Sequence, residues 1–251
     1  MTTDYRFSFG PWNIHTGADP FGPEVRPPVP FARKVALCRE LGFDAMQFHD
    51  DDAVPEPEDK TPAQLEKAAG EVRKALDAEG LAAEFVAPRL WEHPNGIDGA
   101  FTANDPAVRA WALERAKKSI DVARGLGTRL IVLWLAREGT YLRESKNALD
   151  AHQHLLDALN AMLEYDGQIE IAIEPKPNEP MDHAYVPTIG HALALGARTA
   201  DPARVGGLIE TAHAVLAGLD PSDEMAFALS AGKLWSVHLN DQGGLKYDQD
   251  R

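Results

Sequence analysis

The chain has 251 residues, with 25 Lys plus Arg against 39 Asp plus Glu and a formal net charge of −14. That balance argues against a nucleic-acid partner, which asks for a basic face to meet phosphates. A single cysteine, Cys38, excludes an internal disulfide framework and fits a reducing compartment, and 44% hydrophobic with 25% charged residues are the proportions of a folded globular chain.

The first apolar run, Tyr5–Phe9, reads as a strand. A Pro-rich excursion, Pro20–Pro30, precedes a helix over Phe31–Leu41 and a strand over Ala45–Phe48. After the loop Pro55–Thr61, Thr61-Pro62 reads as an N-cap followed by Pro at the first helical position. Leu65, Ala68, Ala69, Val72, Ala75 and Leu76 then form one apolar stripe, and Gly80 stands where a C-terminal glycine belongs. A strand over Ala83–Val86 follows. Asp105-Pro106 opens the next helix, whose apolar side holds Val108, Trp111, Ala112, Ile120 and Ala123 before Gly125-Leu126-Gly127. Strands over Arg129–Trp134, Ile169–Ile173, Val205–Ile209 and Leu234–Leu239 alternate with helices over Ala148–Tyr165, Ile189–Thr199 and Pro221–Ala231.

Leu130-Ile131-Val132-Leu133-Trp134 is apolar without a break, as expected of a strand buried on both faces in a parallel sheet. Repeated strand–helix alternation predicts an α/β chain of the TIM (β/α)8 type, with about seven strands in one domain over 1–251. No Gly-x-Gly-x-x-Gly follows the first strand, which weighs against a dinucleotide site. No apolar run approaches the roughly 20 residues that span a bilayer. Met1–Arg6 shows no basic-then-apolar signal pattern, so a cytoplasmic protein with no membrane partner is expected.

In such barrels the functional groups sit at the C-terminal ends of the strands. The second strand runs into His49-Asp50-Asp51-Asp52, the fifth into Glu174-Pro175-Lys176-Pro177-Asn178-Glu179-Pro180, and the sixth into Glu210-Thr211-Ala212-His213. The seventh runs into His238-Leu239-Asn240-Asp241 and on to Lys246-Tyr247-Asp248-Gln249-Asp250. Each of these groups alone would serve as a helix cap or solvated loop residue. Asp50-Asp51-Asp52 alone reads as a solvated turn, and Trp134 alone as core packing. Their recurrence at successive strand ends is what points to a site. Glu174, Glu210, Asp248 and Asp250 gathered in one mouth would repel each other without cations. Oxygen ligands favour Mg2+ or Mn2+, and an added imidazole such as His213 leans towards Mn2+, Co2+ or Mg2+ over Ca2+.

At these residues the sequence resembles xylose (glucose) isomerase. The matching segments are Asp19-Pro20-Phe21-Gly22, Phe48–Asp52, Phe101–Asp105, Val132-Leu133-Trp134 with Arg137-Glu138-Gly139, Glu174–Pro180, Glu210 with His213, and Lys246–Asp250. The resemblance implies a homo-oligomeric TIM barrel, dimer or tetramer, that interconverts aldoses and ketoses by a 1,2-hydride shift with two divalent cations. It implies that His49, its other ring nitrogen bonded to Asp52, assists ring opening, and that Lys176 bonds the carbonyl oxygen of the open chain. Glu174 and Glu210 would hold the first metal, and Glu210, His213, Asp248 and Asp250 the second. Trp12, Trp91 and Trp134 would form an apolar wall, with Phe21 reaching into a neighbouring subunit's site.

The pattern departs from the family in three places. His238 stands where the family has an aspartate ligand, which shifts the expected preference towards Mn2+, Co2+ or Zn2+. Trp12–Thr16 is one residue short and lacks a second tryptophan. The chain stops at Arg251, before the family's eighth strand and C-terminal arm, so a truncated member is expected. The other readings are a non-catalytic metal- or sugar-binding remnant and a related sugar epimerase; a 3-epimerase needs a pair of glutamates flanking the sugar, which the sequence does not identify.

Overall fold

A computed structural model of the chain describes residues 5–17 and 23–245. Two compact units emerge: Met1–Ala87 with Lys118–Leu130, and Pro88–Lys117 with Ile131–Arg251.

The first unit carries β1 (Ser8–Phe9), α1 (Phe31–Glu40), β2 (Ala45–His49), α2 (Asp50–Ala53), α3 (Pro62–Ala78) and β3 (Ala82–Ala87). The three strands are parallel, β1 beside β2 and β2 beside β3, with a register shift between Met46 and Phe48. Met46 and Phe48 are buried, and of the predicted α3 stripe Leu65, Ala69 and Leu76 face inward, Ala68 and Val72 are half-buried and Ala75 is exposed. Thr61 starts that helix with a reciprocal cap: its hydroxyl accepts from the Gln64 N–H at 3.4 Å, and Gln64 Oε1 accepts from the Thr61 N–H at 2.9 Å. The C-terminal half of α4 (Pro106–Leu126) packs on α3 at Gly125, where a Cβ would stand 2.7 Å from Ala69 Cβ and from the Glu66 carbonyl oxygen. Glycine there is a condition of that close approach.

The second unit carries most of β4 (Leu130–Trp134), then β5 (Gly139–Thr140), α5 (Ala148–Tyr165), β6 (Glu170–Glu174), β7 (His183–Ala184), α6 (Ile189–Gly196), β8 (Val205–Glu210), α7 (Thr211–Leu216), α8 (Pro221–Ser230) and β9 (Leu234–His238). The order β4-β6-β8-β9 is consecutive in space, and β6, β8 and β9 pair in parallel. Ile171, Ala172, Ile173, Leu208 and Ile209 are buried in its core.

The predicted strands thus appear within about two residues, the first excepted. That run was expected over Tyr5–Phe9 but pairs only at Ser8–Phe9, leaving Tyr5 78% exposed. Asp50–Asp52 form the opening turn of α2 instead of a solvated turn. Asp50 is wholly buried, where the Ser119 hydroxyl donates to its Oδ2 at 2.8 Å. Three acidic side chains at a helix start suit the unsatisfied N–H groups there.

Candidate metal centre

The β8–β9 register pairs Glu210 directly with His238, and Glu174 ends the neighbouring β6. The three strand ends therefore deliver two carboxylates and an imidazole to one place. One ligand atom from each of Glu174, Glu210 and His238 lies within 4.8 Å of the others. His238 Nδ1 stands 3.9 Å from Glu174 Oε2 and 3.7 Å from Glu210 Oε2. His213, on the first turn of α7, approaches the same carboxylates, Nδ1 at 3.5 Å from Glu174 Oε1 and Nε2 at 3.2 Å from Glu210 Oε1. Asn240 fixes the rotamer of Glu210, its Nδ2 donating to Oε1 at 2.6 Å while its own Oδ1 accepts from the Ala212 N–H at 2.9 Å.

Burial pushes the His213 imidazolium down to about 4, with the charges of Lys176 and His238 in the same direction against the pull of Glu210. His213 is therefore neutral at pH 7, the form in which imidazole is a ligand. Burial alone would raise the Glu210 carboxyl, but the attraction of His213 and bonds to His238 and Glu174 outweigh it and hold the group well below its ordinary range. A buried, ionised carboxylate and the neutral His213 imidazole are what a divalent cation takes.

Two residues past Glu174, Lys176 is buried, its Nζ 5.1 Å from the centroid of the Trp134 ring. Trp134 stacks on His213 at 6.4 Å between centroids and meets Trp91 edge-on at 4.6 Å. Arg137 Nε donates to the Trp91 carbonyl at 2.7 Å and fixes that side of an apolar cleft lined also by Leu90, Phe101 and Leu133. The cleft rests on Glu138, buried and accepting four hydrogen bonds: Oε1 from the Ala100 and Phe101 N–H groups at 3.0 Å each, Oε2 from the Thr102 N–H at 2.9 Å and its hydroxyl at 2.5 Å. Glu138→Ala leaves those donors without a partner, so a loss of about 3 kcal/mol is expected in urea unfolding. A loss under about 1 kcal/mol would show that water replaces the carboxylate without cost.

In the first unit, His49 Nδ1 lies 2.8 Å from Asp52 Oδ2, which also accepts from the His49 N–H at 3.2 Å. The Trp12 ring lies 4.3 Å from the His49 ring between centroids. Asp52 thereby sets which imidazole nitrogen faces outward.

A family model described as a xylose isomerase-like TIM barrel matches residues 35–251. The chain belongs to that family. Solved structures of similar fold include a D-tagatose 3-epimerase-like protein, 16% identical over 96% of this chain and 78% of that one with a TM-score of 0.69. The IolI protein with a bound zinc atom is 14% identical over 98% and 78%, with a TM-score of 0.69. The 3-keto-D-glucoside 4-epimerase YcjR of E. coli is 15% identical over 97% and 84%, with a TM-score of 0.66. At such identities the likeness establishes the fold, an α/β chain of TIM-barrel type. Seven parallel strands lie among the described residues, three in the first unit and four in the second.

For a member of the xylose isomerase-like family, the second unit tests directly whether its residues fit a cation. Donors about 2.0–2.2 Å from one ion stand roughly 3–4 Å apart, and the separations at His238 are 3.7 and 3.9 Å. The donor set fits. Of the expected site residues, Glu174, Glu210, His213, His238, Lys176, Trp91 and Trp134 come together in the second unit, and His49, Asp52 and Trp12 in the first. Phe21, Asp248 and Asp250 lie outside the described residues. Asn240 and Glu138 lie in stretches quoted from the sequence, which gives them no role; their hydrogen bonds, and for Glu138 its burial, supply one. No helix among the described residues is long and apolar enough to cross a membrane.

Proposed function

We propose that this chain is a metal-dependent aldose–ketose isomerase. The observation that carries the reading is the coincidence, at adjacent strand ends, of the Glu174–Glu210–His238 donor set with a buried lysine set against an aromatic wall. Glu174, Glu210, His213 and His238 would hold one divalent cation, Mg2+, Mn2+ or Co2+, with Asp248 and Asp250 contributing to a second. A bound cation supplies Lewis acidity that eases loss of a sugar hydroxyl proton.

In this reading Lys176 donates a hydrogen bond to the carbonyl oxygen of the open-chain sugar. Its fixed charge stabilises the negative charge growing there, where a donor already in place costs no reorganisation. The hydrogen on C2 moves with its electron pair to C1, the C2 hydroxyl gives up its proton, and the oxygen on C1 gains one. Substrate and product are isomers with nothing added. Trp91 and Trp134 keep water from the carbons so that the hydride is not lost as a solvent-exchanging proton. The His49–Asp52 pair is assigned to ring opening, and the working form is a cytoplasmic homo-oligomer.

The test is ketose formation from xylose, glucose and other aldoses with Mg2+, Mn2+ or Co2+ added. With metal bound and no ketose from any aldose, the isomerase reading is lost and a metal-binding remnant remains. The melting temperature should rise on adding Mn2+, by the equivalent of about 2.7 kcal/mol at a hundredfold excess over Kd. A Tm indifferent to every divalent ion tried would remove the metal centre from the proposal.

The second reading is a sugar epimerase. It is favoured by the imidazole nitrogens that His213 and His238 add to the two carboxylates, and by the similar folds of a D-tagatose 3-epimerase-like protein and a 3-keto-D-glucoside 4-epimerase. Turnover in D2O separates the two: an epimerase passing a proton through solvent incorporates deuterium at carbon, and a hydride shift does not.

A further inference from the structure

The loop after β6 holds polar atoms that the proposed chemistry leaves unused. Asn178 Oδ1 and Glu179 Oε2 are buried, as is Trp134 Nε1, and none has a hydrogen-bond partner among the described residues. Glu179 Oε2 lies 4.0 Å from Lys176 Nζ, the group assigned to the sugar oxygen. That distance is too long for a direct hydrogen bond. An oxygen about 2.8 Å from both would subtend an angle of about 90° between them, near what a hydroxyl presents to a donor and an acceptor. The backbone also marks the position: Glu179 has φ +68°, a left-handed conformation uncommon for a residue with a Cβ and free of penalty for glycine.

We infer that Lys176 and Glu179 grip one hydroxyl of an open-chain sugar or polyol between them, Lys176 donating to its oxygen and Glu179 accepting its hydrogen. This rests on the isomerase reading and deepens it. A carbonyl oxygen at that carbon satisfies Lys176 alone, whereas a hydroxyl satisfies both. Glu179 is thus a specificity-determining residue that favours the alcohol over the carbonyl form at the carbon whose oxygen meets Lys176.

The test is calorimetric titration of xylitol, which carries hydroxyls and no carbonyl, into the Mn2+-loaded full chain, with Glu179→Ala and Glu179→Gly beside the wild type. Both variants should bind xylitol about ten- to a hundredfold more weakly, the worth of a hydrogen bond to a charged group. Glu179→Gly relieves the left-handed conformation and keeps its Tm within a few degrees, so lost binding there is not lost folding. The Michaelis constant for the ketose should rise by the same factor, and that for the aldose by less than about threefold. Variants that bind xylitol as the wild type does, or a wild type that isomerises sugars without binding xylitol, overturn the inference and leave the isomerase reading standing. Glu179-dependent xylitol binding in a chain that converts no aldose does the reverse.

Discussion

Lys176→Met is expected to lower turnover of the preferred sugar by about a hundred- to a thousandfold, the loss that follows removal of one preset donor from a developing oxyanion. The same change should leave the fold intact. The lysine side chain is 6% exposed, and its Nζ stands over the Trp134 ring with Glu179 at 4.0 Å. Methionine has nearly the same reach and fills irregular space without strain, so no cavity opens. An ammonium taken from a buried position, with Glu179 at the limit of an ion pair, removes a desolvation cost along with the attraction. Tm should therefore stay level or rise. Lys176 is also one of the charges that lower the His213 imidazolium, so Mn2+ affinity should hold or strengthen in the variant. Steady-state kinetics, thermal melting and Mn2+ titration check the three expectations. Full turnover in the variant removes Lys176 from the chemistry, and a collapsed melting transition makes it a structural residue.

The fold was readable where periodicity runs long enough to repeat. Ala148–Tyr165 begins and ends where patterning places it, because eighteen residues allow five turns of apolar spacing and Asn147 caps the start. Leu130–Trp134 is an unbroken apolar run, and a strand covered on both faces is built of little else. Short elements carry no period. The antiparallel pairing of Gly139–Thr140 with His183–Ala184 rests on backbone groups more than forty positions apart, and Gly139 is held so close that a Cβ there would stand 2.2 Å from the His183 carbonyl oxygen. Thr211–Leu216 is helical for six residues only, set by the Asn240 amide at its start.

The site follows the same division. Glu174, Glu210, His213 and His238 stand out because a charged or imidazole group directly after a buried strand lies where parallel strands leave their functional ends. Glu138 carries no such mark. A glutamate before glycine reads as a surface turn, and its role becomes visible only when three backbone N–H groups and a hydroxyl from residues 100–102 turn towards it. Glu179 is hidden for a related reason: its significance lies in its separation from Lys176 and in a backbone angle, neither of which has a one-dimensional signature.

Glu210→Gln should weaken Mn2+ binding by more than about a hundredfold. Disturbing groups that only orient a ligand already costs roughly ten- to a hundredfold in metal affinity, and here a ligand itself loses its charge. Glu210 is the hub of the cluster: the His238 partner in strand register, 3.2 Å from His213 Nε2, and locked by Asn240 at 2.6 Å. The amide keeps the shape and can still accept from Asn240, so packing around α7 is retained. Without metal, Glu210 is a buried carboxylate close to Glu174, and its contacts with His213, His238 and Glu174 hold it well below its ordinary range despite its burial. Neutralising it removes cost and attraction together, and the Tm of the metal-free variant should lie within a few degrees of the wild type. The rise in Tm on adding Mn2+ is what should vanish, and sugar conversion with it. Metal titration against thermal melting, wild type beside variant, separates the outcomes. A variant that gains as much stability from Mn2+ as the wild type would place the cation away from Glu210, and with it the sugar chemistry assigned to the ends of β6, β8 and β9.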